Sequence, residues 1–269
     1  MTIHLQRGMY MYNTLLLEKE GRIATLTMNR PEAMNSMNGV MMRELAESIE
    51  SLQSDTSVQV LVIKGEGRAF SAGGDIKAML DKENPFDIDE AMTYLTRIAK
   101  TLYMLPQITI ASVHGAAAGL GFSMVLGCDI IIAEENSKLA MNFIGIGLVP
   151  DGGGHFFLKE RVGIPKAKQL MWSGQLFTGI EAQKIGLVDE VASDGLGSAT
   201  AASYAQKLIQ SPIAAMIASK EILHATKLKE LQSVLEREAV AQSAMRKTED
   251  HQEGIRAFVE KRKPEFKGK

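Results

Sequence analysis

Residues 69–77, AFSAGGDIK, follow an apolar, β-branched segment at 58–63 and mark the point where a predicted strand ends. Small residues and a glycine pair at a strand end leave backbone N–H groups uncovered by side chains. Such groups can donate hydrogen bonds to the carbonyl or phosphate oxygens of a ligand. Asp75, directly after the glycines, is typical of a residue that closes a turn. Taken alone, the run fits an ordinary turn at a strand end equally well.

A second strand, predicted at 108–113, also ends in glycines, within HGAAAGLG at residues 114–121. Here the glycines open a helix that runs through Leu126, so free N–H groups and the positive end of the helix dipole point the same way. Small residues at such a place also allow close helix packing. Two glycine-bearing strand ends in succession nevertheless predict two donors to one oxygen, which is an oxyanion hole.

A third glycine-rich stretch is GIGLVPDGGGH at residues 145–155. The Pro-Asp-Gly sequence is a strong turn signal, so Asp151 on its own is interpreted as a turn or helix N-cap residue.

Strands and helices alternate along most of the chain, which predicts an α/β architecture. A hairpin is expected around Gly21, a helix from Asn38, and a mobile, proline-broken loop at 79–90. After about residue 198 the pattern is helical, with one helix opened by Pro212 and another at 228–245. The expected organisation is a loose extension at 1–13, a core at 14–197 and a C-terminal helical region at 198–269.

Composition excludes several classes of protein. The chain has 269 residues, 45% of them hydrophobic and 23% charged, and its net charge is −2, which gives no electrostatic argument for nucleic acid or an anionic membrane. Its single cysteine, Cys128, lies in an apolar run and no Cys/His cluster suggests a metal. The sequence shows neither a signal peptide nor an apolar run long enough to span a membrane. We therefore expect a cytoplasmic protein without a metal.

The three glycine-rich stretches together resemble the crotonase (enoyl-CoA hydratase/isomerase) superfamily. The resemblance runs in unbroken order over about residues 14–269 and rests on ordered motifs rather than on one run. The motifs are Asn29-Arg30-Pro31 with Asn35, the AFSAGGDIK run, 113–115 through 127–129, 147–153, 178–182 with 186–191, and 258–263.

The resemblance implies a crotonase fold of repeated ββα units with a C-terminal helical trimerisation region, and an acyl-CoA thioester as substrate. The two oxyanion donors would be the backbone N–H groups of Gly74 and Leu120. Leucine at 120 replaces a more usual glycine, but a main-chain donor is kept. Residues implied to contact the CoA moiety are Ala33, Met34, Ala72, Asp75 and Ile76, with Phe258 and Lys261 reaching the CoA of a neighbouring subunit.

Two departures from the family bear on the reaction. Family hydratases use two glutamates to activate water, and the corresponding positions here are Ser123 and Phe143. Neither side chain can act as a carboxylate base. Asp151, by contrast, stands where some family isomerases carry their single catalytic aspartate, and one carboxyl with a raised pKa can move a proton between two carbons.

The predicted function is therefore a double-bond shift in an enoyl-CoA, with Asp151 as the proton shuttle. Enoyl-CoA hydration is the alternative, and a non-catalytic acyl-CoA-binding protein is a further one. No separate cofactor is expected, because coenzyme A is part of the substrate. The implied partner is a second copy of the chain, in a homotrimer or a dimer of trimers. For the basic residues 261–263 alone, a solvated tail is an equally good interpretation.

Overall fold

In a computed structural model, residues 3–6, 8–80 and 87–269 are described. The strands are β1 (Ile3–Gln6), β2 (Met9–Met11), β3 (Leu15–Glu20), β4 (Ile23–Met28), β5 (Val60–Gly65), β6 (Ile108–Val113), β7 (Ala116–Ala118), β8 (Ile130–Glu134), β9 (Lys138–Ala140), β10 (Leu176–Phe177) and β11 (Glu190–Ala192). The α-helices are α1 (Gly39–Leu52), α2 (Ile76–Met79), α3 (Ile88–Met104), α4 (Leu120–Leu126), α5 (Gly154–Ser173), α6 (Gly179–Lys184), α7 (Gly197–Gln210), α8 (Ile213–Met245) and α9 (Glu249–Glu260).

The main sheet has the strand order β1-β2-β3-β4-β5-β6-β8-β11. Its first four strands are antiparallel neighbours, whereas β4, β5, β6, β8 and β11 run parallel to one another. A small second sheet, β10-β9-β7, lies beyond the carboxyl end of β6. Because parallel strands end at the same edge, the loops after β5 and β6 are neighbours, and that edge is where ligands bind in open α/β sheets.

Both faces of the parallel strands are covered, which explains why β6 is buried at all six positions. One face packs against the large core that contains α1, α3 and α4. The other face, which includes Val60, Val62 and Ile110, packs against Ala201 and Ala205 of α7. This arrangement of sheet and helices confirms the mixed α/β class expected from the alternating pattern.

Several local predictions are confirmed. The β3–β4 hairpin turns at Gly21, which has a φ of +58° in the left-handed region that favours glycine. Asn38 caps α1 by accepting a hydrogen bond from the Met41 amide at 3.0 Å.

The structure differs from the sequence expectations in three places. The extension predicted as loose over residues 1–13 contains β1 and β2, which continue the antiparallel edge of the sheet because β2 pairs with β3. α7, assigned by sequence to the helical region from 198, packs directly on the sheet. The two helices expected after Pro212 form the single helix α8, since no glycine or proline interrupts residues 213–245.

Residues 81–86 of the loop predicted at 79–90 lie outside the described part of the chain. Among the described residues, none of the helices combines the length and the apolar character needed to cross a membrane.

Candidate active site

Backbone hydrogen bonds join the chain after β5 to the chain after β6. Ser71 donates from its amide to the Ala116 oxygen at 2.9 Å, and accepts at its own carbonyl from the Ala118 amide at 3.0 Å. The Ser71 hydroxyl also donates to the Asn35 carbonyl at 2.7 Å. These bonds hold the two glycine-bearing segments side by side, as their position at one sheet edge predicts.

Gly73 and Gly119 allow the two segments to approach closely. Gly73 has a φ of +95°, and a Cβ at this position would lie 2.6 Å from the Ala118 carbonyl oxygen and 3.4 Å from the Leu120 nitrogen. Gly119, with a φ of +52°, starts α4, so the Leu120 amide is the first of the helix and has no carbonyl one turn before it. Gly73, the residue before Gly74, therefore lies beside the Leu120 amide, and Gly74 and Leu120 line the same cavity.

This cavity has a volume of about 180 Å³. Most of its wall is apolar, and Asp151 is the one carboxylic acid among the described residues that line it. The lining includes six residues singled out by sequence, which are Ala72, Gly74, Ile76, Leu120, Asp151 and Phe258, together with Phe143 at the position of an absent family glutamate.

Asp151 is almost completely buried, with 7% of its surface exposed. Its Oδ2 accepts a hydrogen bond from Nε2 of Gln242 at 2.9 Å, whereas Oδ1 has no partner within the described part of the chain. Burial raises the pKa of Asp151 to about 8, and the negative charge of Glu238 adds to the rise. The cation of Arg246 and the Gln242 hydrogen bond act in the opposite direction.

Glu238 holds the start of α5 from another part of the chain. Gly153, the N-cap of α5, has no side chain to accept from the helix, and the buried Glu238 carboxylate takes that place. It accepts from the Gly153 amide at 2.8 Å, from the His155 amide at 3.0 Å and bonds His155 Nδ1 at 2.8 Å.

Ser123 and Phe143 occupy the two positions of the absent glutamates in different ways. Ser123 is fully buried in α4, and its hydroxyl is directed to the Met141 sulfur at 3.8 Å. Phe143 lies in the cavity wall next to Gly119. The wall at these positions is thus a buried hydroxyl and an aromatic ring, neither of which can ionise to a base.

Four residues expected to contact CoA lie outside the wall of this cavity. Asp75 caps α2 through the Ala78 amide and pairs with Arg30 at 3.0 Å. Ala33 ends a short 3₁₀ helix, and the next residue, Met34, accepts at its carbonyl from the Ala72 amide. Lys261 is exposed at the end of α9. Their proposed contacts with CoA stay predictions.

Phe258 was expected to reach a neighbouring subunit, but it borders the cavity of its own chain. It is 60% exposed, so it forms part of the outer edge of the cavity rather than its floor. The expected contact of Phe258 with the CoA of a neighbouring subunit stays a prediction.

Three polar residues near the cavity were not singled out by sequence, namely Glu238, Gln242 and Arg246. They stand four residues apart on or just after α8 and therefore share one face of the helix. This spacing is the one feature of the sequence from which their common position could have been predicted.

Among the residues that the structure describes, no group of His, Cys, Asp and Glu side chains is arranged to hold a metal ion.

The sequence resembles known proteins over most of its length. Residues 18–269 match the family model for enoyl-CoA hydratase/isomerase. The Bacillus subtilis protein YhaR, which bears a provisional enoyl-CoA hydratase/isomerase name, is 46% identical over 91% of this chain and 96% of its own. Two Escherichia coli relatives carry different reaction names: 2,3-dehydroadipyl-CoA hydratase is 33% identical over 95% of this chain and 99% of its own, and 1,2-epoxyphenylacetyl-CoA isomerase is 32% identical over 96% and 100%.

The fold comparison agrees with the sequence comparison. The crystal structure of an enoyl-CoA hydratase from Mycobacterium avium subsp. paratuberculosis superposes with a TM-score of 0.86 at 31% identity, covering 94% of this chain and 98% of that one. The chain therefore belongs to the enoyl-CoA hydratase/isomerase family of the crotonase superfamily.

Proposed function

We propose that the protein is an enoyl-CoA isomerase that shifts a carbon–carbon double bond with Asp151 as its proton shuttle. The observation that carries the proposal is the buried Asp151 carboxyl, which lines an apolar cavity and has a pKa raised to about 8. A group whose pKa lies near the working pH can both accept and return a proton. The positions that carry water-activating glutamates in family hydratases hold a serine and a phenylalanine.

In this mechanism the acyl-CoA thioester binds with its carbonyl oxygen at the amides of Gly74 and Leu120. The Asp151 carboxylate removes a proton from the carbon next to the thioester, and the electron pair spreads over a dienolate whose oxygen accepts from both amides. Asp151 then returns the proton to the carbon two positions further along, so the double bond moves and no atom is gained or lost. Coenzyme A serves as part of the substrate and no other cofactor enters.

The decisive experiment offers purified protein 3-enoyl-CoA and 2-enoyl-CoA and follows their interconversion. General acid–base catalysis contributes about 10²–10⁴-fold, so Asp151→Asn is expected to lower kcat by that factor. Asp55→Asn is the matched control, because Asp55 pairs with Lys19 away from the cavity. Undiminished isomerisation by Asp151→Asn would contradict the shuttle.

Hydration is the second candidate, because the relatives include proteins named as hydratases. The same preparation offered crotonyl-CoA discriminates the two reactions. We expect water addition to be much slower than isomerisation, and a hydration rate that exceeds it would favour the alternative. Tight binding of acyl-CoA with neither reaction would indicate a binding protein.

A further inference from the structure

The segment that carries Asp151 is bonded to α8 at every second residue from 149 to 155. Gln242 is fully buried, and its side-chain amide nitrogen donates twice. One bond goes to the Val149 carbonyl at 2.7 Å, the other to Asp151 Oδ2 at 2.9 Å. A single amide group thus fixes both the backbone before the carboxyl and the carboxyl itself.

Glu238, one helical turn earlier, continues this pattern on the other side of Asp151. Its carboxylate accepts from the amides of Gly153 and His155. Residues spaced by four lie on one face of a helix, so α8 presents one donor group and one acceptor group to the segment. The segment is held before, at and after Asp151, and the bonds to Asp151 and Gly153 are fully buried, where they are less weakened by water.

We propose that Gln242 is the positioning residue of Asp151: its amide holds Oδ2 and thereby leaves Oδ1 as the oxygen that carries the proton. The proposal rests on the proposed function, because it assigns different tasks to the two oxygens of the shuttle. Oδ2 is engaged by the protein, whereas Oδ1 is buried without a partner in the described residues, and Asp151 is one of the residues that line the cavity. A proton carried on Oδ1 can then be taken from one carbon and delivered to another while Oδ2 stays fixed.

The charged and titratable groups around Asp151 determine how its pKa, and with it the pH dependence of activity, changes when Gln242 is replaced. α8 contributes the Glu238 carboxylate, and the residue after α8, Arg246, contributes a guanidinium. From α5, His155 bonds Glu238 rather than Asp151. From α9, His251 bonds the Ile146 carbonyl at 2.8 Å. The Gln242 hydrogen bond favours the ionised form of Asp151, so its loss raises the pKa of Asp151 further.

The test replaces Gln242 by methionine, which keeps the length of the side chain and removes the amide. We expect kcat for isomerisation to fall by about 10–100-fold, as small misplacements of a catalytic group do, while KM for the acyl-CoA changes little. The pH at which activity reaches half its maximum on the acid side should move to higher pH. If Gln242→Met does not fold, Gln242→Asn carries the same test, since the shorter amide cannot reach both acceptors.

Gln107→Met is the matched control. Gln107 is also a buried glutamine whose amide donates to backbone carbonyls, those of Leu52, Asp55 and Val58, but it lies away from the cavity. We expect this variant to lose stability and to keep the kcat and pH midpoint of the unchanged protein. A folded Gln242→Met protein with unaltered kcat and pH midpoint would overturn the proposal.

A measurement without turnover separates this proposal from the proposed function. ¹³C NMR of labelled aspartate reports the titration of Asp151 directly, with Asp151→Asn identifying its signal. If Gln242 holds the carboxyl, Gln242→Met shifts this titration upwards even when Asp151 proves not to be the shuttle. An unshifted titration overturns the positioning role, whereas active Asp151→Asn protein overturns the function alone.

Discussion

At the scale of single residues, the buried carboxyl of Asp151 lowers the stability of the fold when it is ionised. Taking a carboxylate out of water is unfavourable, so the buried group retains its proton up to about pH 8. The Arg246 cation and the Gln242 amide offset part of this cost, and Glu238 adds to it. A neutral residue of the same shape would remove this cost.

The stability of Asp151→Asn should therefore depend on pH differently from that of the unchanged protein. Between the ordinary aspartate pKa of about 3.9 in the unfolded chain and about 8 in the folded protein, the folded state binds more protons, so its stability falls as pH rises. We expect the free energy of unfolding of Asp151→Asn, relative to the unchanged protein, to increase by about 1.4 kcal/mol per pH unit between about pH 5 and 8.

Chemical denaturation at several pH values checks this prediction. Asp55→Asn is the control, because Lys19 lowers the pKa of Asp55 to about 2 and no change is expected in that pH window. If the free energies of unfolding of Asp151→Asn and of the unchanged protein changed with pH in parallel, Asp151 would ionise as an ordinary aspartate.

The two glycine-rich segments that carry Gly74 and Leu120 could be located from the sequence, whereas the residues that bond the Asp151 segment could not. Gly74 and Leu120 follow glycine-rich strand ends that local sequence makes visible, and their partnership follows from parallel strands ending at one edge. Gln242 and Glu238 act on residues 91 and 85 positions away in the chain. No turn signal or periodicity marks such a contact, since a Glu or Gln on a long helix is ordinarily solvent-exposed.

At the scale of elements, an ion pair close to the N-terminal end of α8, with little exposure to solvent, connects this helix to the sheet. Lys220 donates to Asp129 Oδ2 and to the Gln107 carbonyl, both at 2.7 Å. The side chains of Lys220 and Asp129 are 8% and 15% exposed. This contact anchors the same helix that, further along, carries the residues bonded to the Asp151 segment.

Removing this cation should destabilise the fold. Lys220→Met takes the cation from Asp129, whose Oδ2 keeps the hydrogen bonds from the Thr109 amide and hydroxyl. It also removes the Lys220 donor from the Gln107 carbonyl. The loss of one partner of a fully buried pair typically costs about 3–5 kcal/mol, and we expect a smaller loss here because Asp129 keeps its other donors. Urea denaturation measures the loss, and Lys229→Met, at an exposed position of α8, should change stability by less than about 0.5 kcal/mol. Equal losses for both variants would argue against a structural role for the pair.

At the scale of the whole molecule, the surface retains large apolar side chains that the single chain does not bury. Trp172 is 68% exposed, Leu176 52% and Ile144 40%. Gly174 stands between Trp172 and Leu176 in the sequence, and Ile144 packs next to Gly174. The three apolar side chains therefore belong to one region of the surface. Exposed apolar side chains that lie near one another are typical of an interaction site, and we predict that the contact between copies of the chain implied by the family resemblance lies here.

The assembly should respond to a charge placed in this region. Trp172→Glu is expected to give a smaller particle than the unchanged protein in light scattering, because a carboxylate in a closed interface would lose its hydration. Gln175→Glu introduces the same charge at an exposed polar residue nearby and should leave the particle mass unaltered. A fully assembled Trp172→Glu protein would place the contact between copies elsewhere.

The bonds from α8 to residues 149–155 also determine when the site is completed during synthesis. A ribosome adds about 5–20 residues per second, so Gln242 follows Asp151, which it bonds across 91 positions, by about 5–18 s. Throughout that interval the nascent chain already contains both glycine-rich strand ends, yet Asp151 and the start of α5 lack their partners. The time for which this segment is exposed to chaperones and proteases therefore depends on how soon the last quarter of the chain, which contains α8, is synthesised.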